Sequence, residues 1–228
     1  MAKRPSKEQL ETDALVTTYA RFSGFVQQNV ATVIAGTLVF LLLIGAGIWY
    51  YFHLQAQEVE AQELLVTAEQ FFDQSEYESA LYGDQETFAP GFIDIINNYS
   101  RTDAANIARY YAAVSAGRLG DSYQALEFIE RYNPPSGILG VGPIAFHGTI
   151  LGNLGEFADA ARQFERAANW DENNVTTPQN LLLAAQASLE GGDSDSARRY
   201  LDTIITNYQG SQVAEQALHM QGMLEARG

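Results

Sequence analysis

The chain has 228 residues and a formal net charge of −15, with 13 basic residues against 28 acidic ones. Nucleic-acid-binding proteins neutralise phosphates with clustered lysines and arginines, so this charge balance argues against nucleic acid as a partner. The chain contains no cysteine, which excludes disulfides, thiolate metal sites and cysteine nucleophiles.

The first segment, residues 1–29, forms a short head before a long apolar run. Leu15, Tyr19, Phe22 and Val26 recur at helical spacing and form one apolar stripe. The stripe predicts an amphipathic helix that lies on the cytoplasmic face of a membrane or docks on a partner. A simple helical lead-in to the next segment explains the pattern equally well.

Residues 30–52 contain no charged side chain and end in the aromatic cluster WYYF. A helix of this length, rising about 1.5 Å per residue, crosses a bilayer core of about 30 Å. A buried core helix and a cleaved signal peptide are the alternatives. The long head, the length of the apolar run and the poor cleavage sequence that follows favour an uncleaved span through a lipid bilayer.

The basic residues are distributed unevenly about this span. Lys3, Arg4, Lys7 and Arg21 precede it, whereas the chain after it carries nine basic and 25 acidic residues, a net charge of −16. The positive-inside rule therefore predicts a cytoplasmic N-terminus and an acidic domain on the other side of the membrane.

Small residues mark one face of the predicted span. Thr32, Gly36, Leu43 and Gly47 share that face and are candidates for contact with another membrane helix. Residues 53–74 contain no helix breaker, so we expect a helical stalk that stiffens the connection to the next domain.

Three segments of the remaining chain align with one another: residues 106–139, 141–174 and 178–211. Their turn glycines, Gly120, Gly155 and Gly192, are 35 and 37 residues apart. Such a period predicts an all-α protein built from helix–turn–helix repeats. Residues 75–105 are expected to form an irregular first repeat, and residues 212–228 a capping helix.

Candidate chemistry is sparse along the chain. Gly140, Gly142 and Ala145 match a dinucleotide-loop spacing, but no βαβ unit surrounds them, and we expect a flexible turn before the second repeat. The histidines, His53, His147 and His219, share no ligand spacing. The sequence therefore predicts a protein without catalytic, cofactor-binding or metal-binding residues.

The three segments resemble the tetratricopeptide repeat (TPR), a 34-residue helix–turn–helix motif that stacks into an α-solenoid. The resemblance implies a concave groove lined by the first helix of each repeat, suited to an extended peptide or a partner helix. Ordinary solvent-facing positions are the alternative. The implied groove residues are Tyr110, Val114, Arg118, Thr149, Asn153, Gln179, Leu182, Gln186 and Glu190.

The order of parts, together with residues 80–113 and 177–201, resembles the YfgM-like family of bacterial inner-membrane TPR proteins. That resemblance implies a non-catalytic periplasmic scaffold or chaperone, ancillary to the Sec translocon. Its partners would be translocon subunits, a periplasmic prolyl isomerase-like chaperone and exported polypeptides. A structural scaffold of the Tol and cell-wall type is the alternative, and the retained anchor disfavours it.

Overall fold

The computed structural model describes residues 16, 17, 19, 21 and 23–226, so Leu15 and Phe22 of the predicted stripe lie outside it. The described part of the chain contains no strand, only one isolated β-bridge between Asp84 and Ala89. The prediction of an all-helical protein is confirmed. The chain divides into two compact units, Met1–Gln55 and Ala56–Gly228.

Helix α1 includes residues 23–28. The helices that follow are α2 (Val30–Asp73), α3 (Tyr77–Tyr82), α4 (Phe92–Asn98), α5 (Asp103–Arg118), α6 (Ser122–Glu130), α7 (Ile138–Asn153), α8 (Phe157–Trp170), α9 (Thr176–Glu190), α10 (Ser194–Asn207) and α11 (Ala214–Glu225).

The first unit contains the apolar part of α2. This helix is long and apolar enough to cross a membrane, and no residue of its most apolar 18-residue stretch is buried. The core helix of a soluble protein would be mostly buried, so the exposure argues against that alternative. The prediction of one N-terminal helix suited to a membrane span is confirmed.

Three turns of the second unit share one backbone geometry. Gly120, Gly155 and Gly192 have φ of 86°, 81° and 79°, a left-handed conformation that glycine adopts without a Cβ penalty. The N–H of the next residue closes each turn by donating back to the preceding helix, which is a common helix ending. The bonds run from Asp121 N to Ala116 O (2.9 Å), from Glu156 N to Leu151 O (2.9 Å) and from Asp193 N to Ser188 O (2.8 Å).

A fourth turn has the same geometry without a glycine. Ser75 follows α2 with a φ of 64°, and the N–H of Glu76 donates to the carbonyl of Phe71 at 2.9 Å. The same kind of turn therefore joins α2 to α3 as joins the helix pairs α5–α6, α7–α8 and α9–α10.

The helical segment that follows the turn at Ser75 is interrupted. Helices α3 and α4 have six and seven residues, and residues 83–91 form a closed loop between them. A Cβ on Gly91 would lie 2.6 Å from the carbonyl oxygen of Leu81 and would also overlap Gly83 N. The loop thus returns so closely to its starting point that only glycine fits at position 91.

Within the second unit, a carboxylate ties the part of α2 after residue 55 to α5. Glu58 accepts hydrogen bonds from the backbone N–H groups of Asp103 (2.7 Å) and Ala104 (3.2 Å) at the start of α5. The first N–H groups of a helix have no partner within it, and a negative charge at that end is stabilising. Ala61, Leu65 and Ala68 of α2 are buried in the same core cluster as α4 and α5.

Helices α7 and α8 pack closely where a small residue faces a large one. A Cβ on Gly148 in α7 would lie 3.0 Å from the ring of Phe164 in α8. Phe164 is itself buried. The interior of this pair is therefore filled by one aromatic ring that uses the space left by the glycine.

Helix α7 begins earlier than the sequence indicates. It starts at Ile138, three residues before the predicted second segment, and Pro143 lies inside it. The indole N–H of Trp170 donates to the carbonyl of Pro135 at 2.9 Å. A Cβ on Gly140 would overlap both partners of that bond. This close approach fixes the first turn of α7 against the end of α8.

Candidate protein-binding surface

The first helices of the three pairs, α5, α7 and α9, are neighbours. The ring of Tyr110 in α5 lies 6.3 Å from that of Phe146 in α7, measured between centroids, and α7 in turn contacts α9. This arrangement brings the predicted groove residues of successive pairs to neighbouring helices.

Most predicted groove residues are accessible. Arg118, Thr149, Asn153, Gln179 and Glu190 are exposed, and Tyr110, Val114 and Gln186 are half-buried. These eight residues are called the first-helix surface below.

Leu182 is an exception among the predicted groove residues. It is 5% exposed and belongs to a core cluster with Leu201 and Ile204 of α10. A ligand cannot reach it, so the assignment of Leu182 to the groove is wrong. Packing on α10 sets the rotation of α9 about its axis. The position of a residue within the repeat motif does not give that rotation.

Two of the three first helices carry few charges, whereas α5 carries Asp103, Arg109 and Arg118. Helix α7 contains no charged residue and α9 contains only Glu190, whereas α8 and α10 each contain four. Burial lowers the pKa of His147 in α7, as does Arg166, against an opposing effect of Glu130. His147 is therefore held neutral near pH 7, and this part of a strongly acidic domain is almost uncharged.

An aromatic cluster supports the surface at α5. Tyr110 lies 5.5 Å from Tyr132 and 6.0 Å from Tyr111, in addition to Phe146. Burial raises the pKa of Tyr110 and of Tyr132, so both phenols stay neutral. Phe146 was not predicted to belong here; it is the one aromatic residue besides His147 in a helix of otherwise small and aliphatic residues.

The predicted contact face of the membrane helix lies in the first unit. Thr32, Gly36, Leu43 and Gly47 are all exposed, and a Cβ on either glycine would meet no atom within 4 Å. The aromatic end of this stretch carries a stacked pair, with the rings of Trp49 and His53 5.4 Å apart.

The glycine spacing that resembles a dinucleotide loop has a structural explanation. Gly140, Gly142 and Ala145 all lie within α7, so the predicted flexible turn at this point is wrong. Gly140 is required by its contact with Trp170, and the segment is a helix interior. Among the described residues, no group of three or more His, Asp or Glu side chains is placed to hold a metal ion.

Comparisons with protein-family models, with curated proteins and with solved structures each found no match.

Proposed function

We propose that this chain is a membrane-anchored, non-catalytic protein that binds other polypeptides through a TPR-like array of helix pairs. The observation that carries the proposal is the first-helix surface, which is accessible and has no net charge, since Arg118 balances Glu190, in a domain of net charge −16. Solvent alone favours charged side chains at exposed positions, as α8 and α10 show. Depletion of charged residues, as at the exposed positions of α7, is typical of a place where a partner excludes water.

The chemistry of the surface indicates the class of ligand. Amide and hydroxyl side chains at Thr149, Asn153, Gln179 and Gln186 can bond to a peptide backbone, and Tyr110 offers an aromatic contact. Arg118 in α5 and Glu190 in α9 supply single charges on different helices. This combination suits an uncharged stretch of polypeptide, extended or helical, with modest demands on its sequence.

The charge distribution along the chain supports a location of the acidic domain outside the cytoplasm. Basic residues are concentrated before residue 30, and the part after residue 52 is acidic, which favours insertion with the N-terminus in the cytoplasm. We place the chain in a bacterial inner membrane with its C-terminal domain in the periplasm. By its resemblance in layout, it acts beside the Sec translocon, with a prolyl isomerase-like chaperone, on exported chains.

Single cysteines test the orientation because the chain has none of its own. We expect a membrane-impermeant maleimide to label Ser136→Cys in intact spheroplasts and to label Lys7→Cys only after lysis. Ser136 is exposed in the loop before α7, so access is limited by the membrane alone. The reverse labelling pattern would overturn the periplasmic assignment.

A charge placed on the first-helix surface tests the binding function. Thr149 and Asn153 are exposed one turn apart in α7, and we expect Thr149→Glu/Asn153→Glu to reduce partner capture about tenfold, because two charges would be desolvated. The measurement is photo-crosslinking in cells from a probe at Gln179. Recovery of translocon subunits supports the proposed role, and recovery of cell-wall synthesis proteins alone would refute it.

The matched control adds the same two charges elsewhere. Asn169 in α8 and Gln209 after α10 are exposed and lie outside the first helices. Asn169→Glu/Gln209→Glu should leave the crosslinking yield within about twofold of the unaltered protein. Equal loss in the two variants would mean that net charge, and not this surface, controls capture.

A further inference from the structure

The loop at residues 83–91 holds an aromatic side chain in water. Phe88 is 92% exposed and has a φ of 54°. A bulky residue disfavours this left-handed conformation, and an exposed phenylalanine ring gains nothing from burial. Phe88 is thus unfavourable both in its backbone conformation and in its exposure to water. Strained residues of this kind cluster at binding sites.

The loop that carries Phe88 is closed by its own bonds. Asp84 and Ala89 exchange backbone hydrogen bonds of 2.9 and 3.1 Å. The Asp84 carboxylate also accepts from the N–H of Glu86 (2.9 Å) and from the hydroxyl of Thr87 (2.7 Å). These bonds to the charged form lower the pKa of Asp84. The exposure of Phe88 is therefore a property of an ordered loop.

Two more exposed aromatic residues belong to α3, which ends where this loop begins, and to α6, which contacts α3. Tyr82, 53% exposed, ends α3, and its hydroxyl donates to the side-chain oxygen of Gln124 at 3.0 Å. This bond brings α3 to the first turn of α6, where Tyr123 is 78% exposed. Tyr82, Phe88 and Tyr123 are called the aromatic surface below.

Acidic side chains lie close in sequence to all three residues of the aromatic surface. Residues 53–100 contain ten acidic residues and no lysine or arginine. Glu78 lies one turn before Tyr82 in α3, Glu127 one turn after Tyr123 in α6, and Glu86 within the loop, and all three are exposed.

We propose that the aromatic surface binds a cationic polypeptide segment of a partner protein. The face of an aromatic ring attracts arginine and lysine side chains, and carboxylates beside the ring complete a site for the same charge. An anionic or lipid-phosphate ligand is opposed by Glu78, Glu86 and Glu127, whereas a cationic segment is attracted by them. The site is formed by α3, α6 and the loop, and none of its three aromatic residues belongs to the first-helix surface.

The test uses the full chain in nanodiscs of zwitterionic lipid, to which a cationic probe does not adsorb. The probe is a labelled peptide of about 12 residues, roughly 40 Å when extended, that repeats Arg, Gly and Ser. We expect it to bind, by fluorescence anisotropy, at least about tenfold more tightly than the same peptide with Gln in place of Arg. Failure of the Arg peptide to bind, or equal binding of the Gln peptide, overturns the proposal.

Paired variants locate the binding. We expect Phe88→Ala/Tyr123→Ala and Glu86→Gln/Glu127→Gln each to weaken binding about fivefold, since each removes two exposed contacts to the cation. Glu215→Gln/Glu225→Gln in α11 changes the net charge by the same amount and should stay within about twofold. An equal loss in this control, or no loss in the aromatic variant, refutes the assignment. Thr149→Glu/Asn153→Glu should not weaken binding, which separates this site from the first-helix surface.

Discussion

Gly91→Ala should lower the free energy of unfolding by about 2–3 kcal/mol. The new methyl group would lie 2.6 Å from the carbonyl oxygen of Leu81 and would overlap Gly83 N, so two backbone segments must separate. Neither atom belongs to a flexible side chain that could move aside. The expected damage is confined to the junction of α3 and α4. The measurement is urea unfolding followed by far-ultraviolet circular dichroism in detergent micelles.

Gly142→Ala is the matched control for this substitution. Gly142 is exposed inside α7, and a Cβ there would meet no atom within 4 Å. Because alanine favours a helix over glycine by up to about 1 kcal/mol, this variant should be as stable as the unaltered protein or more so. If Gly91→Ala behaved like Gly142→Ala, the close return of the loop would be refuted.

Local signals predicted the turns of this fold well. Glycine at positions 120, 155 and 192 satisfies a backbone conformation that depends on few neighbours, and the structure has left-handed residues at all three. The charge-free run at residues 30–52 likewise needs only its own composition to indicate a membrane helix. The helix start at Ile138 was missed because a contact between Trp170 and Pro135, distant in sequence, fixes that turn.

The surfaces were harder to predict because they depend on which way each helix faces. Leu182 was placed in the groove by its position in a motif, yet packing on Leu201 and Ile204 turns it inward. The aromatic surface needs the bond between Tyr82 and Gln124, which joins helices 42 residues apart in sequence. No periodicity within one segment contains that information.

Phe164→Ala should cost about 3–5 kcal/mol of stability, because it removes a buried ring from the interior of the α7–α8 pair. Gly148→Leu should also be strongly destabilising, by roughly 3 kcal/mol, since the position of its Cβ is already 3.0 Å from that ring. Both effects are read from urea unfolding in the same micelles.

The two substitutions together decide whether the glycine and the ring fill one shared space. In Phe164→Ala the leucine at position 148 can enter the vacated volume, so the double variant should be more stable than the sum of the single effects predicts. A coupling of about 1–3 kcal/mol is expected for side chains in direct contact. Simple additivity would mean that Gly148 and Phe164 do not share a packing site. The coupling matters for the proposed function because the same small-against-large contact sets the distance between α7 and α8. That distance determines the position of α7 relative to a bound partner, and α7 carries the uncharged centre of the first-helix surface.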